Sequence, residues 1–152
     1  GGDHRGWLND ATRAFWRQVY QAESAMQRLG ETAVGEQPDP RERRILQQAG
    51  RELLLLQSSD WPFMLTRRVT PDHAEERIGL HAENFQHCVR MVEQHRAGRP
   101  IADRDWRGLE RMERRHRLFQ DLDPAVFWPS PTQRPSAAYP AAARPVRVAD
   151  PV

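Results

Sequence analysis

Lysine is absent from this chain. Its 23 basic side chains are all arginine, a bias that reflects a GC-rich coding sequence more directly than any need for forked phosphate contacts. A strong basic excess is lacking too. The 21 Asp and Glu residues interleave with the arginines, so the formal charge is only +2 and no single-sign stripe results. Both features argue against a nucleic-acid partner. A lone cysteine, Cys88, excludes an internal disulfide framework and fits a cytoplasmic protein. No apolar run approaches the roughly 18 residues a bilayer span needs, and no targeting signal is legible at either end. A membrane partner is therefore not expected. Internal repeats and long alternating apolar runs are also missing, which leaves no basis for a sheet.

What is present is helical periodicity. At 152 residues, 38% hydrophobic and 29% charged, the chain suits one polar domain with its own core. A first helix is expected from Asp10 to Leu29, with Phe15, Trp16, Val19, Tyr20, Met26 and Leu29 near helical spacing. Asn9 or Asp10 would cap it and Gly30 would stop it. The run Asp39-Pro40-Arg41-Glu42 supplies a capping carboxylate, a proline at the first helical position and a Glu three residues after the cap, a strong start for a second, central helix. That helix ends in the leucines 53–56, which have no polar face and call for burial on several sides.

A break at "QSSDWPFML" places Trp61 at a helix boundary before Pro62, with a short turn expected to tuck Phe63 and Leu65 under the core. Thr70 and Pro71 open a long helix in which Ala74, Ile78, His81, Phe85, Cys88 and Val92 recur at alternating steps of four and three. It should stop at Gly98 and Pro100. Asp103 is expected to cap a last helix carrying Trp106, Leu109, Met112, His116 and Phe119. The resulting fold class is all-α, an antiparallel bundle of four to five helices over residues 1–128. Phe127 and Trp128 should anchor the start of a Pro/Ala-rich tail, residues 129–152, expected to be disordered.

Candidate chemistry is sparse. His73, His81, His87 and His95 share one helix, but no pair has the i, i+4 spacing that brings two imidazoles to one metal. No metal and no cofactor are expected; His81 reads as a hydrogen-bonded core residue and Cys88 as a small inert hydrophobe. The arginines of "RGLERMERRHRLF" with Trp106 could bind a nucleic-acid strand, but Glu110 and Glu113 one turn from Arg114 and Arg117 read better as a solvated, ion-paired face. Asp60, beside Trp61, is either an N-cap for a short helix or an acceptor next to an aromatic plate, a pairing suited to sugar hydroxyls and C–H faces. In "GGDHRGWLND", Asp3, His4 and Trp7 beside two glycines permit the same sugar-binding reading, against that of a frayed entry to a helix.

Taken in order, "GGDHRGWLN", "QSSDWPF" and "RHRLFQDLDPAVF" resemble the C-terminal helical region of family 57 glycoside hydrolases of the 1,4-α-glucan branching type. The resemblance runs from about Gly1 to Phe127. It implies that the chain is a portion of a larger enzyme, or a separately encoded remnant of one, whose catalytic (β/α)7 barrel is a partner in cis or in trans. It further implies a retaining mechanism with a Glu nucleophile and an Asp acid/base on that barrel, so no catalytic residue falls on this chain. Trp7 matches an aromatic facing the α-glucan cleft, and Asp60 and Trp61 match a motif that lies near that cleft or braces the domain against the barrel. Asp121 and Asp123 read as support for the closing turn. The competing expectation is a freestanding helical interaction module, a protein or RNA adaptor.

Overall fold

The computed structural model describes residues 9–31 and 38–128. Asp3, His4, Trp7 and the Pro/Ala tail lie outside the described residues. Five α-helices make the bundle: α1 (Arg13–Glu31), α2 (Pro40–Leu56), α3 (Asp60–Arg67), α4 (Pro71–Arg96) and α5 (Asp103–Arg115), followed by a 3-10 turn at Pro124–Phe127. No strand occurs among the described residues, and none of their helices is long and apolar enough to cross a membrane.

The central helix starts where its sequence says it should. Asp39 caps α2, one carboxylate oxygen accepting from the Arg41 and Glu42 backbone N–H groups at 2.8 and 3.1 Å. Its other oxygen meets His95 Nε2 near the end of α4. The backbone hydrogen bond from Glu42 and the contact with His95 hold the Asp39 carboxyl below the usual carboxylate range. Glu42 does not close a capping box on Asp39. It accepts instead from Arg96 of α4 at 2.7 and 2.9 Å, while the same guanidinium donates to the Leu29 carbonyl of α1. One arginine therefore ties the end of α1, the start of α2 and the end of α4, which fixes α2 antiparallel to both. Asp39→Ala is expected to lower stability by about 1–2 kcal/mol, measured by urea denaturation; an unchanged midpoint would show the cap to be redundant.

The alternating stripe of α4 is the inner face of the bundle. Ala74, His81, Phe85, Cys88 and Val92 are wholly buried and Ile78 nearly so, because steps of four and three keep them on one side of a 3.6-residue turn. They face Ile45, Leu46, Ala49, Leu53 and Leu56 of α2. Cys88 is a buried free thiol with its Sγ 3.9 Å from Met112 Sδ; burial pushes its pKa far up. Of the four leucines, Leu53 and Leu56 enter the core and Leu54 and Leu55 are only half-buried, since a helix cannot turn four successive residues to one side.

Several boundaries differ from the sequence reading. In α1, Asn9 organises a preceding turn with Thr12, and the first helical hydrogen bond runs from Trp16 N–H to the Thr12 carbonyl. Gly30 does not stop that helix, which continues to Glu31. In α3, Leu65 and Pro62 turn inward while Phe63 is 50% exposed, because two residues of helical rotation put Phe63 opposite Leu65. In α5, Asp103 is the first helical residue and caps nothing; the helix ends at Arg115. Phe119 lies beyond it with φ +54° and its ring exposed. The expected ion pairs along α5 are replaced by a cross-helix pair: Glu113 takes both arms of Arg44 at 2.7 and 2.8 Å, and that guanidinium sits 6.0 Å from the Trp106 ring.

The closing segment anchors as expected. Asp123 caps the 3-10 turn through the Ala125 N–H, and Trp128 Nε1 donates to the Met26 carbonyl at 2.8 Å. Its ring packs on Gly30, and Phe127 packs on Gly50.

Candidate functional site

The most organised polar feature is one the sequence reading missed. Glu52 is wholly buried at the junction of α2, α4 and the segment after α5. Oε2 accepts from His81 Nδ1 at 2.7 Å and from Asn84 Nδ2 at 3.3 Å. Oε1 accepts from His116 Nδ1 at 2.7 Å and Gln48 Nε2 at 2.8 Å. Burial alone pushes the Glu52 pKa up, but the hydrogen bonds from His81, His116 and Gln48 outweigh it and hold the carboxyl below its usual range. Behind this cluster Arg51 donates to the Gln48 side-chain carbonyl and to the Phe119 and Gln120 backbone carbonyls. The carboxylate thus organises the bundle centre and the loop that closes it.

A signal for Glu52 was available. Ile45, Ala49, Glu52, Leu53 and Leu56 fall on one side of α2, so an acid on that stripe had to find donors inside. His81 occupies the equivalent stripe on α4, as expected, and is buried and hydrogen-bonded.

The α2–α3 junction stands on this cluster. The Trp61 ring stacks toward His81, centroids 6.5 Å apart at 29°, and its indole N–H donates to the Leu55 carbonyl at 2.8 Å. Trp61 therefore locks the end of α2 to the start of α3, and its polar handle is already engaged. Asp60 is the first residue of α3 and not its cap, which is Ser59. Its carboxylate is exposed and accepts no hydrogen bond among the described residues. Trp61 thus braces the α2–α3 junction within the bundle, and both the Asp60 carboxylate and the Phe63 ring are exposed. Asp3, His4 and Trp7 lie outside the described residues, so their relation to this rim is not described.

Two groups of side chains bring metal-ligating atoms within 4.8 Å of one another: Glu52, His81 and His116, and Asp39, Glu42 and His95. Spacing along a single helix could not reveal either, because each draws its donors from separate segments. In both, the carboxylates already accept from imidazole or guanidinium donors, which accounts for the clustering without an ion.

The described residues define an all-α helical bundle. Residues 18–127 match the family described as 1,4-alpha-glucan branching enzyme, C-terminal, and the chain belongs to that family. It is 31% identical over 137 residues to a 1,4-alpha-glucan branching enzyme of Thermococcus kodakarensis, covering 88% of this chain and 18% of the relative. It is 41% identical over 64 residues to a probable 1,4-alpha-glucan branching enzyme of Mycobacterium tuberculosis, covering 42% of this chain and 11% of that protein. The fold superimposes on the crystal structure of a GH57-type branching enzyme from Pyrococcus horikoshii with a TM-score of 0.76 and 28% identity, over 83% of this chain and 23% of that one. The chain therefore spans less than a quarter of each relative.

Proposed function

We propose that this chain acts as the C-terminal helical portion of an α-glucan branching enzyme, closing over a glucan cleft formed with a catalytic barrel supplied in cis or in trans. The family match over residues 18–127 carries this reading. The barrel breaks an α-1,4 bond and retains the glucan segment covalently until a 6-hydroxyl attacks. The helical portion's contribution is to favour that sugar hydroxyl over water: transfer requires an oriented acceptor and an attacking position from which water is excluded. The exposed Asp60 carboxylate is suited to accept a sugar hydroxyl, Trp61 holds the rim that presents it, and Trp7, with Asp3 and His4, serves the acceptor side. A cytoplasmic setting fits the single buried thiol of Cys88.

The test is to incubate amylose with the complete polypeptide that carries this segment and read α-1,6 linkages by proton NMR beside reducing ends. Linkage formation is expected; chain shortening alone would overturn branching in favour of hydrolysis. In that protein Trp7→Ala should raise the ratio of hydrolysis to branching severalfold, as loss of one aromatic contact of about 1 kcal/mol implies. An unchanged ratio at unchanged stability would remove Trp7 from the acceptor side.

A further inference from the structure

The two buried polar side-chain atoms that find no hydrogen-bond partner among the described residues are both imidazole nitrogens, His87 Nε2 and His116 Nε2. Both rings line one open cavity of about 800 Å³ where α4 and α5 meet, to which α1 also contributes. His116 is only 6% exposed, and its Nδ1 is engaged by Glu52 Oε1 at 2.7 Å. A carboxylate only accepts, so Nδ1 carries the proton there and the neutral ring keeps a lone pair on Nε2. His87 Nε2 stands 3.8 Å from Asp105 Oδ1, beyond hydrogen-bond reach. Buried polar atoms of this kind call for a partner.

The α5 side of the cavity is cationic. Arg104, Gly108, Arg111 and Arg115 follow one another at steps of four, three and four, which puts them on one side of the helix, and Arg90 joins them from α4. Arg104 has Asp105 at 4.0 Å, but Arg90, Arg111 and Arg115 make no ion pair or hydrogen bond among the described residues. Glu113, the acid nearest to hand on α5, is held by Arg44 across the bundle. Like charges four residues apart repel, so packing within the bundle does not account for Arg111 beside Arg115. Gly108 leaves the helix surface between the arginines bare, and a Cβ there would stand 3.4 Å from His87 Nε2.

We infer that this cavity binds a phosphate monoester of a small, hydroxyl-bearing molecule. One guanidinium fork satisfies a carboxylate, whereas three unpaired guanidiniums from two helices match the three terminal oxygens and near-double charge of a phosphate. Bare phosphate would leave most of the volume empty, and that volume is in the range of small-molecule sites. The lining also carries Gln18, Gln21 and Gln86, whose amides donate and accept as hydroxyls require. A ligand hydroxyl supplies the donor that His116 Nε2 lacks. A nucleic-acid strand wants a basic groove that tracks its backbone, but Glu83 and Asp105 interrupt this lining, and Arg107 and Arg114 of the same helix lie outside it. The inference is independent of the α-glucan reading, which concerns other residues.

Isothermal titration of the complete polypeptide that carries this segment, with ribose 5-phosphate as the probe, tests the inference. Saturable binding is expected, with inorganic phosphate bound more weakly. Arg111→Ala and Arg115→Ala should each weaken ribose 5-phosphate about tenfold, as loss of one charge-assisted contact implies. Their urea midpoints should stay in place, because neither side chain makes a bond within the described bundle. Arg107→Ala removes the same charge from α5 outside the cavity, and screening at physiological salt should hold its effect below about twofold. Absence of saturable binding, or binding that Arg111→Ala and Arg115→Ala leave unchanged, overturns the site. An equal loss in Arg107→Ala overturns it in favour of general surface charge. Inorganic phosphate bound as tightly as ribose 5-phosphate overturns the monoester. Maltoheptaose or poly(U) bound through Arg111 and Arg115, with no response to ribose 5-phosphate, overturns it in favour of a neutral glucan or a nucleic-acid strand. These titrations do not read α-1,6 linkages, so failure here and failure of the branching assay are separate results.

Discussion

Glu52→Leu is expected to destabilise the chain by about 3–5 kcal/mol, a cost typical of removing one partner from a buried ionic cluster. The carboxylate faces four donors, from His81, His116, Gln48 and Asn84. A leucine of similar size fills the space but leaves those N–H groups without acceptors in a dry core. Glu52→Gln should cost less, about 1–3 kcal/mol, because it keeps one acceptor oxygen while turning an amide N–H2 toward donors. Urea denaturation of the three proteins checks the order. Equal midpoints for wild type and Glu52→Leu would mean that packing, not the hydrogen-bond cluster, holds the centre.

The same residue sets an acid limit. Its folded pKa lies below the unfolded carboxylate value of roughly 4.3, so below that value the unfolded state binds the extra proton. The stability Glu52 contributes is complete above about pH 4.3 and is lost as the pH falls from there through the folded pKa. His81 and His116 face the carboxylate directly, and Arg77 reaches His81 from outside at 3.4 Å. Glu52→Leu should therefore flatten the acid limb of the stability curve as well as lower the plateau. An acid limb of unchanged slope in that variant would assign the acid sensitivity to other carboxylates, Asp39 first among them.

Gly30→Ala and Gly50→Ala should each destabilise by about 1–3 kcal/mol, the range for overpacking a filled site. In an exposed helix the change would stabilise by about 1 kcal/mol through backbone entropy. Here a Cβ on Gly30 would lie 1.8 Å from Trp128 Cδ1, and one on Gly50 would lie 2.7 Å from Phe127 Cε2 and 2.9 Å from Leu122 Cδ2. The ring must leave in the first case, and with it the bond from Trp128 Nε1 to Met26 O. Indole emission, compared with that of a Trp128→Phe variant, should shift to the red in Gly30→Ala. A gain in stability with unchanged emission would show that the closing turn does not pack on α1. Both substitutions read out the same docking, so their effects should be less than additive.

The elements themselves were legible because each rests on local chemistry. Asp39-Pro40 starts a helix by satisfying free N–H groups, Gly98 ends one at φ +65°, and the α4 stripe from Ala74 to Val92 makes burial periodic. Phe63 and Phe119 were misplaced because an apolar side chain does not announce which way a short helix or a turn will face. Glu113 was paired with the wrong arginine because a contact one turn away along the chain competes with one across helices, and only packing decides between them.

The sequence by itself determined an all-helical bundle, the starts of α2 and α4, and a family resemblance that the match over residues 18–127 bears out, two of its three motifs lying inside that match. Tertiary structure alone decided what the polar groups do. It drew Glu52, His81 and His116 from three segments into one buried cluster, gave Trp61 a bracing role and left the neighbouring Asp60 carboxylate without a partner among the described residues. It also filled the faces of Gly30 and Gly50 with aromatic rings. The physical reason is range: capping and periodicity act within one or two helical turns, whereas a buried carboxylate or a bare glycine face is resolved by whichever distant side chain the packed bundle delivers to it.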